Sequence, residues 1–375
     1  MIFVDIFNCI TIFQLFMLAA VLFLSGKNKR GSRYLAFFLI IQSFGIIDAL
    51  IGRYYMWSVD HLTLFFFIPH MITKIWGMAL LFYVLSMITP SFKLRPIYLL
   101  HTIPMLAYGV VMYVIYYQYP MNIKKEMLMK YSVYPYKLVV VLILITLVMN
   151  ISYIVYILHR LNKYSMQLRE YYSSIENKNL KWLQFVVFSF SLLWFSAVIQ
   201  YGSFILSGRT WETINLTNPM LFLITCYIVI RGWLSPEVFI NTPQITSTQK
   251  HKLSEDQKIS YKKQLEEIMQ KEKLYLEPEL SITALAKKAS IPERHLSKVL
   301  NESYGQNFYD YINSYRVKES IKYLLDHSEK RNILQILLDA GFNSKTAFNV
   351  AFKKNTGMNP SEFKRKNLTP DYLNS

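Results

Sequence analysis

Near the end of this 375-residue chain, two trios of polar side chains stand at helical spacing. Arg294, Ser297 and Lys298 form the first, and Lys345, Thr346 and Asn349 form the second, about 50 residues further on. Residues three and four apart share one face of an α-helix, so each trio can reach base edges or phosphates of a nucleic acid together. Lys353 and Lys354 add two more cations to the second stretch. For any one of these eight side chains the plainer reading is a solvated helix face.

Asp48, His70 and Lys74 form a group of another kind, set in long apolar stretches with His70 and Lys74 one helical turn apart. A lone charge in lipid is costly, so these groups are expected to pair or to line a wet cavity. They could bind a ligand or relay a proton there. A structural ion pair, or charges snorkelling out from the ends of their spans, answers the same observation. No G-x-S-x-G, H-E-x-x-H, G-x-x-x-x-G-K or C-x-x-C pattern occurs, and no close pair of carboxylates falls in an apolar stretch. The chain is therefore not read as an enzyme, and neither a cofactor nor a metal is expected. Cys9 and Cys226, both in apolar stretches, read as small apolar residues rather than a disulfide or metal pair.

The elements that must position the two trios are helices. In "LSITALAKKASIPERHLSKVLNESYGQ" (280–306), Ile282, Leu285 and Ala289 turn inward, Ala286 permits close approach, "SIP" breaks the helix, and Leu296, Val299 and Leu300 bury the next one. That is the plan of a helix-turn-helix, and it recurs in "NILQILLDAGFNSKTAFNVAFKKNTG" (332–357). There Ile333, Ile336 and Leu337 precede a turn at Gly341, and Phe348 and Phe352 face inward. Between the copies, Phe308, Ile312, Tyr315, Ile321, Leu324 and Leu325 mark a connecting helix. Upstream, Ser254 with Gln257 forms a capping-box pattern, and Ile259, Leu265, Ile268 and Met269 make an apolar stripe on the helix that follows.

Residues 254–368 resemble the DNA-binding domain of the AraC/XylS family of bacterial transcription regulators. The resemblance rests on "LAKKASIPERHLSKVLNESYG", on Tyr311, Ile312 and Arg316, and on "GFNSKTAFNVAFKKNTGMNPSEFK", with Gly341-Phe342, Phe348, Phe352-Lys353-Lys354, Gly357, Pro360 and Phe363-Lys364. It implies two helix-turn-helix units joined by a long helix, whose recognition helices enter major grooves about 34 Å apart on double-stranded DNA. It also implies that Arg294, Ser297, Lys298, Lys345, Thr346 and Asn349 read bases while Lys353 and Lys354 hold phosphates. Leu337 and Val350 depart from the family, which often has a small residue at the first and a basic one at the second. Those departures shift the expected specificity toward the first unit.

The rest of the chain is a different solvent problem. Overall 53% of the residues are hydrophobic, too many for a single soluble domain. Apolar runs near 2–24, 34–57, 62–88, 97–117, 138–158, 182–206 and 213–233 each reach the roughly 20 residues that span about 30 Å of hydrocarbon. "LVVVLILITLVMNISYIVYIL" (138–158) has no polar face at all. The tyrosines of residues 113–137, with Tyr54, Tyr55, Trp57 and Trp233, suit an interfacial aromatic belt better than a ligand-facing loop. Charge divides unevenly: residues 1–253 carry a net +13 and residues 254–375 a net +4, so the basic excess belongs mainly to the apolar part, where anionic headgroups answer it.

Loops after the first, third and fifth runs hold eleven Lys and Arg, among them Lys27, Lys93, Arg160 and Arg169; the alternate loops hold six, Arg53 and Lys124 among them. Positive loops stay cytoplasmic, which predicts an N-terminus outside and a C-terminus inside. The first run has no positive charge before it and a cluster after it, unlike a secretory signal peptide.

The expected architecture is all-α: a polytopic membrane helix bundle of about seven spans (1–233), a linker (234–253) spanning about 20–25 Å as a coil, a soluble double helix-turn-helix domain (254–368) and a tail (369–375). The expected function is a membrane-anchored, sequence-specific DNA-binding transcription regulator in the bacterial inner membrane. Its partners would be DNA, the lipid bilayer, an unidentified signal or ligand, and a second copy as a homodimer. The competing reading is a transporter or receptor whose cytoplasmic tail regulates it without reading DNA.

Overall fold

The computed structural model describes residues 2–24, 29–89, 92–130, 136–176, 181–207, 220–227, 253–326 and 331–368. The chain forms two compact bodies, one from Met1–Leu161 with Leu180–Thr242 and another from Asn162–Asn179 with Pro243–Ser375. The expected linker, apart from Leu253, and the expected tail lie outside the described residues, as does Trp233.

The first body contains α1 (Ile2–Leu24), α2 (Lys29–Arg53), α3 (Tyr55–His61), α4 (Ile68–Ile72), α5 (Trp76–Ile88), α6 (Ile103–Met112), α7 (Met121–Met129), the greater part of α8 (Tyr136–Tyr171) and α9 (Lys181–Ser207). Among the described residues, five stretches, Asp5–Leu24, Gly31–Arg53, Ile68–Ile88, Pro96–Tyr117 and Leu144–Tyr171, are long and apolar enough to cross a membrane, and Trp182–Ser196 is a shorter apolar helix. α5 sits at the centre, buried at every residue from Trp76 to Leu85, and α2 packs on α1, α4 and α5. The outer faces of α1 and α8 expose Phe13, Val21, Val148 and Val155. Apolar surface of that extent is unfavourable in water and neutral in lipid. These long apolar helices suggest a multi-pass membrane protein.

The spans differ in detail from the sequence expectation. α2 ends at Arg53, and Tyr54 turns the chain into a separate α3; Arg53 Nε lies 2.8 Å from Asp5 of α1, so this cation is paired on a helix end rather than free in a loop. The third expected span is broken into α4, a 3-10 turn (Thr73–Ile75) and α5, with Pro69 in the first turn of α4. The fourth begins as a 3-10 turn (Pro96–Thr102) and ends as a π-helical turn (Tyr113–Tyr117). Of the seventh, only residues 220–227 are described, and they are helical.

The aromatic residues expected to form an interfacial belt differ in their exposure. Tyr54 and Trp57 are exposed, but Tyr116 is fully buried and its hydroxyl donates to the Thr63 carbonyl at 2.6 Å. Lys124 is buried beside the rings of Tyr116 and Tyr117. Both cysteines are free thiols, and Cys226 Sγ accepts a hydrogen bond from Gln14 Nε2 at 3.7 Å.

The second body contains α10 (Glu255–Lys271), α11 (Ile282–Lys288), α12 (Glu293–Ser303), α13 (Phe308–Leu325), α14 (Ile333–Asp339), α15 (Lys345–Thr356) and α16 (Pro360–Leu368). Side-chain caps begin most of them: Ser254, Ser281, Asn307, Asn332 and Ser344 each accept a backbone N–H three residues on. Ser254 and Gln257 make the full capping box. Leu265, Met269, Leu285, Leu296, Leu300, Phe308 and Ile312 close one core; Val317, Leu324, Ile336, Leu337, Phe348 and Phe352 close another. α13 supplies both, and α12, α14, α15 and α16 all pack on it.

Two residues assigned to apolar stripes are exposed. Ile259 is 68% exposed because six residues at about 100° each carry it off the Leu265 face. Leu325 is 42% exposed, rotated away from buried Leu324 at the end of α13.

Candidate nucleic-acid interface

Both helix-turn-helix turns are built the same way. After α11, Ser290 adopts a left-handed φ of 52°, Ile291 N–H bonds to Ala286 O at 3.0 Å and Ser290 N–H to Lys287 O at 3.3 Å. After α14, Gly341 has φ of 85°, Phe342 N–H bonds to Leu337 O and Gly341 N–H to Leu338 O, both at 2.9 Å. This double closure satisfies carbonyls that a helix end leaves open and re-aims the chain within three residues. The apolar residue after each turn, Ile291 or Phe342, is buried.

The turns place both trios on outward faces. α12 buries Leu296, Val299 and Leu300, leaving Arg294 exposed and Ser297 and Lys298 half-buried. Lys298 Nζ lies 3.5 Å from Glu302, whose carboxylate is also 2.9 Å from Lys258 Nζ. The hydrogen bond from Lys258, with the charges of Lys258 and Lys298, holds the Glu302 carboxyl below its usual range. α15 buries Ala347, Phe348, Ala351 and Phe352, leaving Lys345 and Thr346 exposed and Asn349 half-buried. Lys353 is exposed, whereas Lys354 Nζ lies 2.9 Å from Asp310 of α13. Surface pairs such as Lys298–Glu302 and Lys354–Asp310 contribute about 0–1 kcal/mol, so a phosphate can displace either carboxylate cheaply. Val350, in the middle of α15, is 60% exposed and presents a methyl surface beside the polar trio.

The residue that ties the two units together is one the sequence singles out only by resemblance. Arg316 of α13 is 1% exposed. Its guanidinium donates to the carbonyls of Tyr275 (2.7 Å), Glu277 (2.7 Å), Pro278 (3.3 Å) and Ser173 (3.2 Å), to Asn313 Oδ1 (3.2 Å) and to Ser173 Oγ (3.0 Å). The same group stands 5.7 Å from the Phe342 ring centroid. Burial lowers its pKa to about 10, so it stays charged at neutral pH. Ser173 precedes the sequence-defined domain by some 80 residues. The signal that could have found it is the stripe Tyr164, Leu168, Tyr171, which continues the helical period beyond the apolar run 138–158.

Glu319 is a second buried polar centre on α13. It accepts from Lys273 Nζ and Lys322 Nζ, each at 2.8 Å, and from the Tyr275 hydroxyl at 3.2 Å. Burial pushes its carboxyl up, but the bonds and charges of the two lysines more than offset this and hold it at about 2. A carboxyl lowered by folding adds stability above its unfolded value, and that stability is lost as pH falls through the folded value. The second body should therefore lose stability between about pH 4.5 and pH 2. Glu319→Gln should cost about 1–3 kcal/mol at neutral pH and flatten that acid dependence, as read by hydrogen exchange of residues 254–368 in the full chain.

In the first body, Asp48, His70 and Lys74 meet. Asp48 Oδ2 is 2.9 Å from His70 Nδ1, and Lys74 Nζ is 3.0 Å from His70 Nε2. Asp48 and Lys74 are thus joined through the imidazole. With Lys74 as an ammonium, which can only donate, the contact makes Nε2 the acceptor and Nδ1 the donor to Asp48. Lys74 also stands 5.2 Å from the Tyr108 ring centroid. It lies in the 3-10 turn between α4 and α5, a change of helical type that often marks a hinge.

A family model described as "Helix-turn-helix domain" matches residues 285–366. The chain is similar to the Msm operon regulatory protein of Streptococcus mutans serotype c, with 33% identity over 87 residues, 23% of this chain and 31% of the relative. It is also similar to the "Probable transcription factor PqrA" of Proteus vulgaris, with 28% identity over 92 residues, 24% of this chain and 74% of the relative. The chain thus spans about a third of the length of the first of these relatives, and no solved structure matches it. Two helix-turn-helix units on one shared helix, with the family match running over most of both, make the C-terminal part of the chain an AraC-type DNA-binding domain.

Proposed function

We propose that the protein is a membrane-anchored, sequence-specific transcription regulator, in which a seven-span bundle senses a signal and the C-terminal domain reads DNA. The observation that carries this reading is the presence, on one chain, of long apolar helices and of two recognition helices whose polar faces are left outward. The positive-inside distribution supports a C-terminus in the cytoplasm, where DNA is, and an N-terminus outside. Arg294, Ser297 and Lys298 on α12 and Lys345, Thr346 and Asn349 on α15 are the proposed base readers, with Lys353 and Lys354 on phosphates. A second copy would supply a second pair of recognition helices. The Asp48–His70–Lys74 chain is a fitting place for a signal to act, and it is also the observation that favours the transporter or receptor reading.

A binding selection with the full-length protein in lipid nanodiscs separates the two. The regulator should enrich a defined duplex. Arg294→Ala or Lys298→Ala should each weaken binding by about 1–3 kcal/mol and relax preference at one position. Lys353→Ala should weaken all sequences alike and reduce the salt slope by about 1. A selection that enriches nothing would leave the tail without a DNA-reading role. For orientation, a reporter active only in the periplasm, inserted within residues 118–137, should be active.

A further inference from the structure

The body that carries the helix-turn-helix domain also includes residues 162–179, the end of α8 and the segment that follows it. Residues 162–176 are anchored as a core element is. Leu168 is fully buried, Ser173, Ser174 and Ile175 are buried, and Tyr171 packs on the first core of the domain.

Their polar contacts reach every part of the DNA-reading machinery. Tyr172 pairs with Ser281, the N-cap of α11, in an antiparallel bridge, and Ser173 N–H bonds to Leu280 O at 3.1 Å. Ser173 Oγ donates to the same carbonyl at 2.7 Å and accepts from Arg316 of the connecting helix. Arg169 stands 5.5 Å from the ring centroid of Tyr309, also on α13. Glu170 Oε2 accepts from Asn301 Nδ2 at 3.1 Å, one helical turn from Ser297 on the recognition helix α12. Ser174 Oγ donates to Asn343 Oδ1 at 2.8 Å, immediately before the cap of the recognition helix α15.

We propose that residues 162–176 are a coupling strap, through which displacement of α8 resets the relative placement of α12 and α15 and with it the affinity for DNA. This rests on the DNA-reading role proposed above. α8 is one unbroken helix from Tyr136 to Tyr171, so a shift or rotation along it has no joint in which to dissipate. The chain also passes between the bodies at Asn179–Leu180 and at Thr242–Pro243, the latter within residues 234–253, whose sequence has the polar composition of a linker. The strap is bonded to the first helix-turn-helix, to the connecting helix and to the second turn at once. Moving it cannot leave their mutual arrangement unchanged, because the Arg316 donors and the Asn343 amide lose partners in the process.

Coupling is reciprocal: if strap position sets DNA affinity, bound DNA must change the strap. The test uses the full-length protein in nanodiscs and a duplex enriched by the wild type. Ser173→Ala/Ser174→Ala should change affinity for that duplex by about 3- to 30-fold, and the duplex, but not a scrambled one, should alter amide exchange of Ser173 to Glu176 in the wild type. Should the double variant fail to fold, Glu170→Gln at the rim of the contact and the exchange measurement on the wild type carry the test. Affinities within twofold of wild type, together with strap exchange indifferent to the duplex, would reduce the segment to packing and overturn the proposal. If the wild type enriches no duplex at all, the DNA-reading role falls first and the strap with it, an outcome distinct from normal binding that ignores the strap.

Discussion

Arg316→Met should raise the amide exchange of residues 254–368 about a hundredfold or more, the equivalent of about 3–5 kcal/mol, while the apolar helices exchange as before. Methionine roughly fills the volume but donates nothing. Four backbone carbonyls, Asn313 Oδ1 and Ser173 Oγ then lose a donor, and the bonds to Tyr275, Ser173 and Asn313 are buried. Each buried acceptor left without a partner costs about 1–3 kcal/mol, and only part of that is recovered by relaxation. Arg316→Lys should not rescue the domain, because three donors on one nitrogen cannot meet acceptors spread around a planar fork. A typical domain holds only about 5–15 kcal/mol in total, so either change should also abolish duplex binding. None of the six tryptophans lies in residues 254–375, so exchange or limited proteolysis, not tryptophan fluorescence, is the measurement. Wild-type exchange in α13 of the methionine variant would mean that the six bonds are dispensable.

Arg316 also shows where the sequence stops being legible. The helices and cores of the second body follow from local information. Ser254 with Gln257, the spacing of Leu296, Val299 and Leu300, and that of Phe348 and Phe352 are relations within one or two turns, and each is realised. The outward side of α12 and α15 is then fixed by default, which is why the candidate readers can be named before any coordinates. The acceptors of Arg316 are different in kind. Four of the six are main-chain oxygens about 40 and 140 residues away, and a carbonyl has no side-chain letter to betray it.

The strap was hidden by a second effect. Its cations, Lys163 and Arg169, carry the signature of a cytoplasmic loop, and the apolar run stops well before Tyr164 and Leu168 take up the stripe. Charge and hydropathy answered where the segment lies relative to a membrane. Neither asks what it packs against. The Asp48–His70–Lys74 group was half legible: apolar neighbours mark three polar residues as special, but the order of the chain, with the imidazole in the middle, depends on how α2 meets the 3-10 turn.

Gly341→Ala should cost about 3 kcal/mol or more, whereas Gly357→Ala should cost about 1 kcal/mol. Both glycines adopt the left-handed conformation, with φ of 85° and 78°, so a side chain at either meets the same local penalty. Their surroundings separate them. A Cβ at Gly357 meets nothing within 4 Å, but one at Gly341 comes to 2.7 Å from Tyr275 O and 2.8 Å from both Cα and O of Leu276. Those are backbone atoms, and they cannot swing aside as a flexible side chain would. The turn of the second helix-turn-helix must withdraw from the 274–276 turn, and Tyr275 O is itself an acceptor of Arg316, so the strain passes into the buried guanidinium network. Exchange in the second core and affinity for the selected duplex should fall together in Gly341→Ala and barely move in Gly357→Ala. Equal costs at the two positions would show that the close approach is relieved for free, and that the left-handed turn alone accounts for the glycine.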